Sequence, residues 1–217
     1  CHDSIKSIKS IFLGFRGISF SPLGLRLSFN IDLSKIKNIH IISSLGFSEF
    51  KLVLNEQRLK LKEIIKMTNS PIDLSGNLII DGVISGDYNK IKGSNISISS
   101  DSIEVPAQDI GGFLIPRLDL HENSLKLDTK NSGSLRIRSL SIGSKKDILQ
   151  ILAQGEIKKF TNFARAILSF EGKFNLKKEL NQKIPLLNLL LDKKKKSQGY
   201  YQFELNGRMS KPNFNVK

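Results

Sequence analysis

The stretch Leu23–Leu33, LGLRLSFNIDL, decides the fold class. Leu23, Leu25, Leu27, Phe29, Ile31 and Leu33 share one face of an extended chain, while Gly24, Arg26, Ser28, Asn30 and Asp32 share the other. Successive strand side chains point to opposite faces, so this alternation describes a sheet with one dry and one wet side. Leu25, Leu27, Phe29 and Ile31 are the candidate apolar face. A packed core is the default reading of such a face, and the wall of an open groove is its alternative.

Working outward, the same period recurs along the chain. Strands are expected at Ile36–Ile42, Phe47–Leu54, Arg58–Leu61, Ile72–Ile84, Asn95–Val105 and Ser124–Asp128. Further strands are expected at Leu135–Ile142, Ile148–Ile157, Ala164–Phe174 and Tyr200–Arg208. Turn-rich pieces such as SSLG, TNSP and TKNSGS separate them at hairpin spacing. Glycines inside strands, as in Gly76–Gly82 and Glu171-Gly-Lys-Phe174, allow a sheet to bend. No fixed repeat length appears, so a propeller or strict solenoid is not indicated. The expected fold is mainly β: an extended, curled antiparallel sheet of successive hairpins, with one or two short helices near the C-terminus. Residues 1–217 read as a single β-rich domain.

The helix signal lies in Leu176–Leu191, where Leu176, Leu180, Ile184, Leu187 and Leu191 recur at three and four, with Asn175 as a candidate N-cap. Pro185 is expected to split it into one helix ending near Lys183 and a second starting at the proline. Leu186, Leu187 and Leu190 are then a candidate apolar cap over something else. Leu61–Thr68 is a weaker helical candidate of a turn or two.

The 217 residues are 39% hydrophobic and carry a formal net charge of +14. Phosphate binding needs basic residues gathered on one face. The lysines here are spread along the polar sides of the strands, and Lys193–Lys196 is the one dense block, with no aromatics interleaved. Solvated strand faces that resist edge-to-edge association explain this charge, attraction to anionic lipid headgroups comes next, and nucleic acid is not an expected partner. The single cysteine, Cys1, forbids an intrachain disulfide, and its place at the start reads as a truncation or processing point. No apolar run reaches the ~20 residues of a membrane span, so an anchor is expected to have been removed.

Catalytic and metal motifs are lacking. His2, His40 and His121 have no ligand spacing, and no nucleophile elbow or phosphate loop occurs. Gly111-Gly112 reads as a hairpin. Asp81, Asp87, Asp101 and Asp119 read as turn residues capping their own backbone, not as calcium ligands. The expectation is a non-enzyme with no catalytic, cofactor or metal residues.

From Pro106 to Phe214 the order of elements becomes specific: LIPRLDL, GSLRIRSLSIGSKKDI, LAQGEIKK with ARAILSFEGKF, NQKIPLLNLLL, and the ending GYYQFELNGRMSKPNF. This half of the chain resembles the type II secretion system protein N family. The Gly-strand-Gly…Pro ending is also similar to that of AsmA-type envelope proteins, whose long curled sheets shelter lipid. The resemblance implies a periplasmic domain anchored to the bacterial inner membrane by an N-terminal helix. It implies secretion-system or envelope proteins as partners, with phospholipid as a further candidate, and it transfers no active-site residue. Pro212 is expected to end ladder pairing and let Phe214 tuck against the sheet.

Overall fold

The computed structural model describes residues 11–217 except 22–23, 34–35, 46–48, 69–71, 88–89, 111–112, 132, 160–164, 184–190, 192–193 and 195, with side chains described from Phe50 onward except also at 67–68, 90, 110, 113, 130–131 and 181–183. The chain begins with β1 (Ile11–Ser21), β2 (Gly24–Leu33), β3 (Ile36–Leu45), β4 (Glu49–Lys60) and α1 (Leu61–Thr68). It continues through β5 (Ser75–Asp87), β6 (Lys90–Val105), β7 (Gln108–Ile110), β8 (Phe113–Ile115) and β9 (Leu118–Asn131). The last elements are β10 (Ser134–Ile142), β11 (Leu149–Lys158), β12 (Ile167–Leu176), α2 (Lys178–Lys183), β13 (Tyr201–Arg208) and β14 (Lys211–Val216).

Twelve strands form one open antiparallel sheet in which each lies beside its neighbour in sequence, and β7 and β8 make a separate small hairpin between β6 and β9. The mainly-β expectation of hairpins laid side by side is met, with α1 in the first half of the chain and α2 near its end. A twisted open sheet of this width relieves its strain by curling. Bulges supply that freedom: the register shifts between Phe15 and Gly17, Leu54 and Gln57, Gly76 and Ile79, and Ile137 and Leu140.

The bulges also correct the boundaries expected from sequence. The two strands expected at Phe47–Leu54 and Arg58–Leu61 are one, β4 (Glu49–Lys60), interrupted by a bulge at Glu56, which adopts a left-handed φ of 41°, and Leu61 already begins α1. Asp81 is no turn residue. It lies within β5, and its carboxylate accepts the Glu56 N–H at 2.8 Å, bracing the bulge across the ladder. Asp101 and Asp119 likewise lie within β6 and β9, and Asp87 ends β5.

At the C-terminus, Leu176 and Asn175 belong to β12, so Asn175 is not a helix cap, and the helix begins only at Lys178. The reason is local pairing: Asn175 and Leu176 sit opposite Gln150 and Leu149 in an unbroken ladder. The break expected at Pro185 lies outside the described residues. β13 does add beside β12, with Tyr201, Phe203 and Leu205 facing Phe174, Gly172 and Phe170. Pro212 does not stop the ladder: it sits in β14 opposite Gly207. An edge strand tolerates proline because an unpaired N–H on the solvent side is not missed.

The connections that carry α1, the β7–β8 hairpin and α2 leave the sheet at one end, together with the β10–β11 loop. Leu74, Ile115, Leu176, Leu180, Leu191, Tyr201 and Val216 cluster there with Val105, Leu118 and Leu120. These residues come from β6 and β9 as well as from β12–β14, strands well separated in the sheet order, so the cluster bridges across the curl. Fully burying each such side chain contributes about 1.5–3 kcal/mol. Among the described residues, the sheet has a packed plug at one end and no second layer along its length.

Candidate functional site

β10–β14 are amphipathic, and their pairing is regular apart from the β10 bulge at Arg138 and Ser139. One face carries the rows Leu135, Ile157, Leu168; Ile137, Gly155, Phe170, Leu205, Phe214; Leu140, Ala153, Gly172, Phe203, Val216; and Ile142, Ile151, Phe174, Tyr201. The opposite face carries Arg136, Glu156, Ser169, Asn206 and Gln154, Glu171, Glu204, Asn215. The apolar rows continue into β9 through Leu125 and Leu127 and into β6 through Ile98 and Ile96. Most of these apolar side chains are half-buried by their sheet neighbours, and Phe214 is 50% exposed. Among the described residues, no helix or strand lies across the middle of this face.

Aromatic rings line the face toward the plug. Phe214 lies 5.4 Å from Phe203, Phe203 lies 5.9 Å from Phe174, and Phe174 stacks on Tyr201 at 5.4 Å. The rings need floor space. A Cβ on Gly172 would meet Phe203 Cζ at 2.7 Å, and one on Gly155 would meet Phe170 Cδ1 at 2.7 Å. Glycine at these two strand positions is what lets the rings lie flat across their neighbours.

The polar face holds shallow open grooves, one of about 570 Å³ lined by Arg136, Arg138, Glu156, Glu171 and Glu204. Its charges largely satisfy one another. Arg138 folds from the β10 bulge onto the Asp128 carboxylate, Gln154 donates to Glu171 at 2.7 Å, and Lys217 pairs with Glu204 at 2.5 Å. That arrangement is a solvated strand face.

At the plugged end the β10–β11 loop is clasped to β9. Asp147 accepts the His121 N–H at 2.7 Å, the Ser144 N–H at 2.7 Å and the His121 ring Nδ1 at 2.8 Å. Asn123 reinforces it, accepting the Gly143 N–H at 3.0 Å and donating to the Leu120 carbonyl at 2.8 Å. Burial alone would raise the Asp147 pKa, but the backbone hydrogen bonds from His121 and Ser144, with the ring bond and charge, bring it from 3.8 to about 2. The Asp147 hydrogen bond, then its charge, hold the His121 imidazolium above the ordinary 6.5.

A group with a depressed pKa stabilises above its unfolded value and loses that contribution as pH falls through its folded value; a raised one stabilises below its unfolded value and loses it as pH rises. The clasp is thus at full strength between 3.8 and 6.5, weakening as pH falls through about 2 and as it rises through the raised histidine pKa. Thermal melts across pH are expected to show the largest gap between the natural protein and Asp147→Asn inside that window. A gap that is constant from pH 4 to 9 would contradict the assignment.

Of the residues singled out from sequence, the side chains of Leu25, Leu27, Phe29 and Ile31 lie outside the described residues. Their backbone is in β2, where Leu25, Leu27, Phe29 and Ile31 pair with Leu45, Ser43, Ile41 and Ile39 of β3. Leu186, Leu187 and Leu190 also lie outside the described residues, although the next residue, Leu191, is buried in the plug. His2 and Cys1 are outside as well, as are Gly111 and Gly112, which stand between the paired strands β7 and β8. Among the described residues, no group of three or more His, Cys, Asp or Glu is placed to hold a metal ion. No described helix is long and apolar enough to cross a membrane.

Sequence reasoning missed the clasp and the lysines around it. Ser144-Lys-Lys-Asp147 has the spacing of a side-chain-capped turn, which is a local signal. Its partner His121, 26 residues away in the chain, carries none. Comparison with known proteins returns no matching family model, no matching curated protein and no matching solved structure.

Proposed function

We propose that this chain is a non-enzymatic periplasmic component of a type II secretion system, acting in assembly or export through contacts made by its sheet. The resemblance of residues 106–214 to the type II secretion system protein N family carries the family and the compartment. The open sheet supports a contact role: it presents the free edge of β14 and a broad apolar face, and such surfaces recruit partner strands and apolar groups. Affinity capture from a bacterial envelope fraction tests this reading. Recovery of secretion-system subunits supports it, and their absence from a capture that retains the folded protein counts against it.

A second reading rests on a separate observation, the half-buried apolar face from β9 to β14 with no described second layer. An apolar surface of that extent costs free energy in water in proportion to its area, about 25 cal/mol per Å². Acyl chains would cover it, as in the lipid-sheltering groove of an AsmA-like envelope protein. Native mass spectrometry of protein purified without detergent is expected to show adducts at phospholipid masses. A clean apo spectrum, with no lipid in an organic extract of the same sample, would sink the lipid reading and leave the assembly reading standing.

A further inference from the structure

We infer that the plugged end of the sheet is a headgroup site for an anionic amphiphile, with a collar of lysines holding the charged head and the aromatic ladder holding the tail. The inference rests on the lipid reading of the apolar face and specifies which lipids that face takes.

The collar is assembled from three parts of the chain. Lys146 comes from the β10–β11 loop, Lys177 and Lys178 from the start of α2, and Lys196 from the segment before β13. All four are exposed. The Lys177 ammonium donates to the Lys146 carbonyl, and the Lys177 N–H donates to the Ile148 carbonyl at 3.0 Å, so loop and helix present their charges together. Lys196 reaches Asn175 Oδ1 at 3.5 Å, and its ammonium stands 5.0 Å from the centre of the Tyr201 ring. Tyr201 is the inner end of the ladder that runs through Phe174 and Phe203 to Phe214. A cation therefore sits where the aromatic strip stops.

Charge pairing sets this end apart from the rest of the surface. On the polar face Arg138 and Lys217 pair with Asp128 and Glu204, and near the start of β9 Arg117 pairs with Glu104 and Asp119. No described carboxylate forms an ion pair with Lys146, Lys177, Lys178 or Lys196. Asp147, the carboxylate in their midst, is taken up by His121 and Ser144, and Glu179 is the one acidic residue of α2. An uncompensated cationic rim beside an apolar strip is complementary to a phosphate-headed lipid. A free anion would leave the strip uncovered, and a zwitterionic head would bring its own cation against the collar.

The test uses the full chain and monomeric short-chain lipids below their micelle concentration, followed by calorimetry. Dihexanoylphosphatidylglycerol is expected to bind at least about tenfold tighter than dihexanoylphosphatidylcholine, given about 1 kcal/mol per lysine near an anionic headgroup. The difference is expected to shrink at high salt and vanish in the variant K177Q/K178Q/K196Q, whose circular dichroism should match the natural protein because the changed residues are exposed. Equal binding of the two lipids would overturn the collar and leave the apolar-face reading intact. Binding of neither would remove both. Inorganic phosphate binding as tightly as phosphatidylglycerol would make this a free-anion site and overturn the proposal.

Discussion

Gly155→Val is expected to lower the apparent melting temperature by roughly 6–12 °C, following from about 3 kcal/mol of overpacking in a chain of this size. A Cβ at Gly155 would lie 2.4 Å from the Ser169 carbonyl oxygen and 2.8 Å from Phe170 Cα. Both are backbone atoms of the adjoining strand, so a rotamer change cannot relieve the clash and the β11–β12 ladder itself must part. Gly133 is the control. It sits in the β9–β10 turn, where an added Cβ would meet nothing within 4 Å, but its φ of 116° disfavours other residues, so Gly133→Ala should cost only backbone strain. If the two variants melt together, crowding against the β12 backbone is not what fixes Gly155.

Leu180→Asp is expected to be the most damaging single change at the plug. Leu180 is 2% exposed and joins the residues of β6 and β9 to those of β12–β14. Removing a buried leucine to alanine costs about 2–5 kcal/mol, and an unpaired carboxylate adds a desolvation penalty. The expected signature is local. Hydrogen exchange should accelerate in 176–183, 200–203, 105–110 and 113–120, while the β4–β5 ladder keeps its protection. Uniform acceleration over the whole chain would instead mean that the plug holds up the entire sheet.

The period-two pattern makes most strands legible because register, once set, fixes both faces of a ladder. What it does not show is where the period slips. β1 escapes it because the bulge between Phe15 and Gly17 shifts the apolar set by one residue halfway along. Glu56 splits β4 in the same way. β14 escapes because proline argues against a strand everywhere except at an edge, and edge position is a property of the whole sheet. Leu176 misleads for a related reason: its spacing to Leu180 is helical, yet it ends a strand, and the two meet only because the chain turns back at Lys177. The plug, the His121–Asp147 clasp and the lysine collar join segments distant in sequence, so beyond the Ser144–Asp147 turn nothing local announces them.

The strictly sequential strand order has a mechanical meaning. Apart from the plug, each hairpin is held almost entirely by the hairpin before it and the one after, as in a stack of repeats. Such a sheet has no single point of failure. Pulled from either end, it would come apart like a zip, one strand at a time, and the two ends would give way differently. From β14 the zip must first pass through the plug, where Val216 is anchored. From β1, the first described plug residue it meets is Leu74, just before β5. Stretched along its strand order, the protein behaves as a graded spring with one locked end.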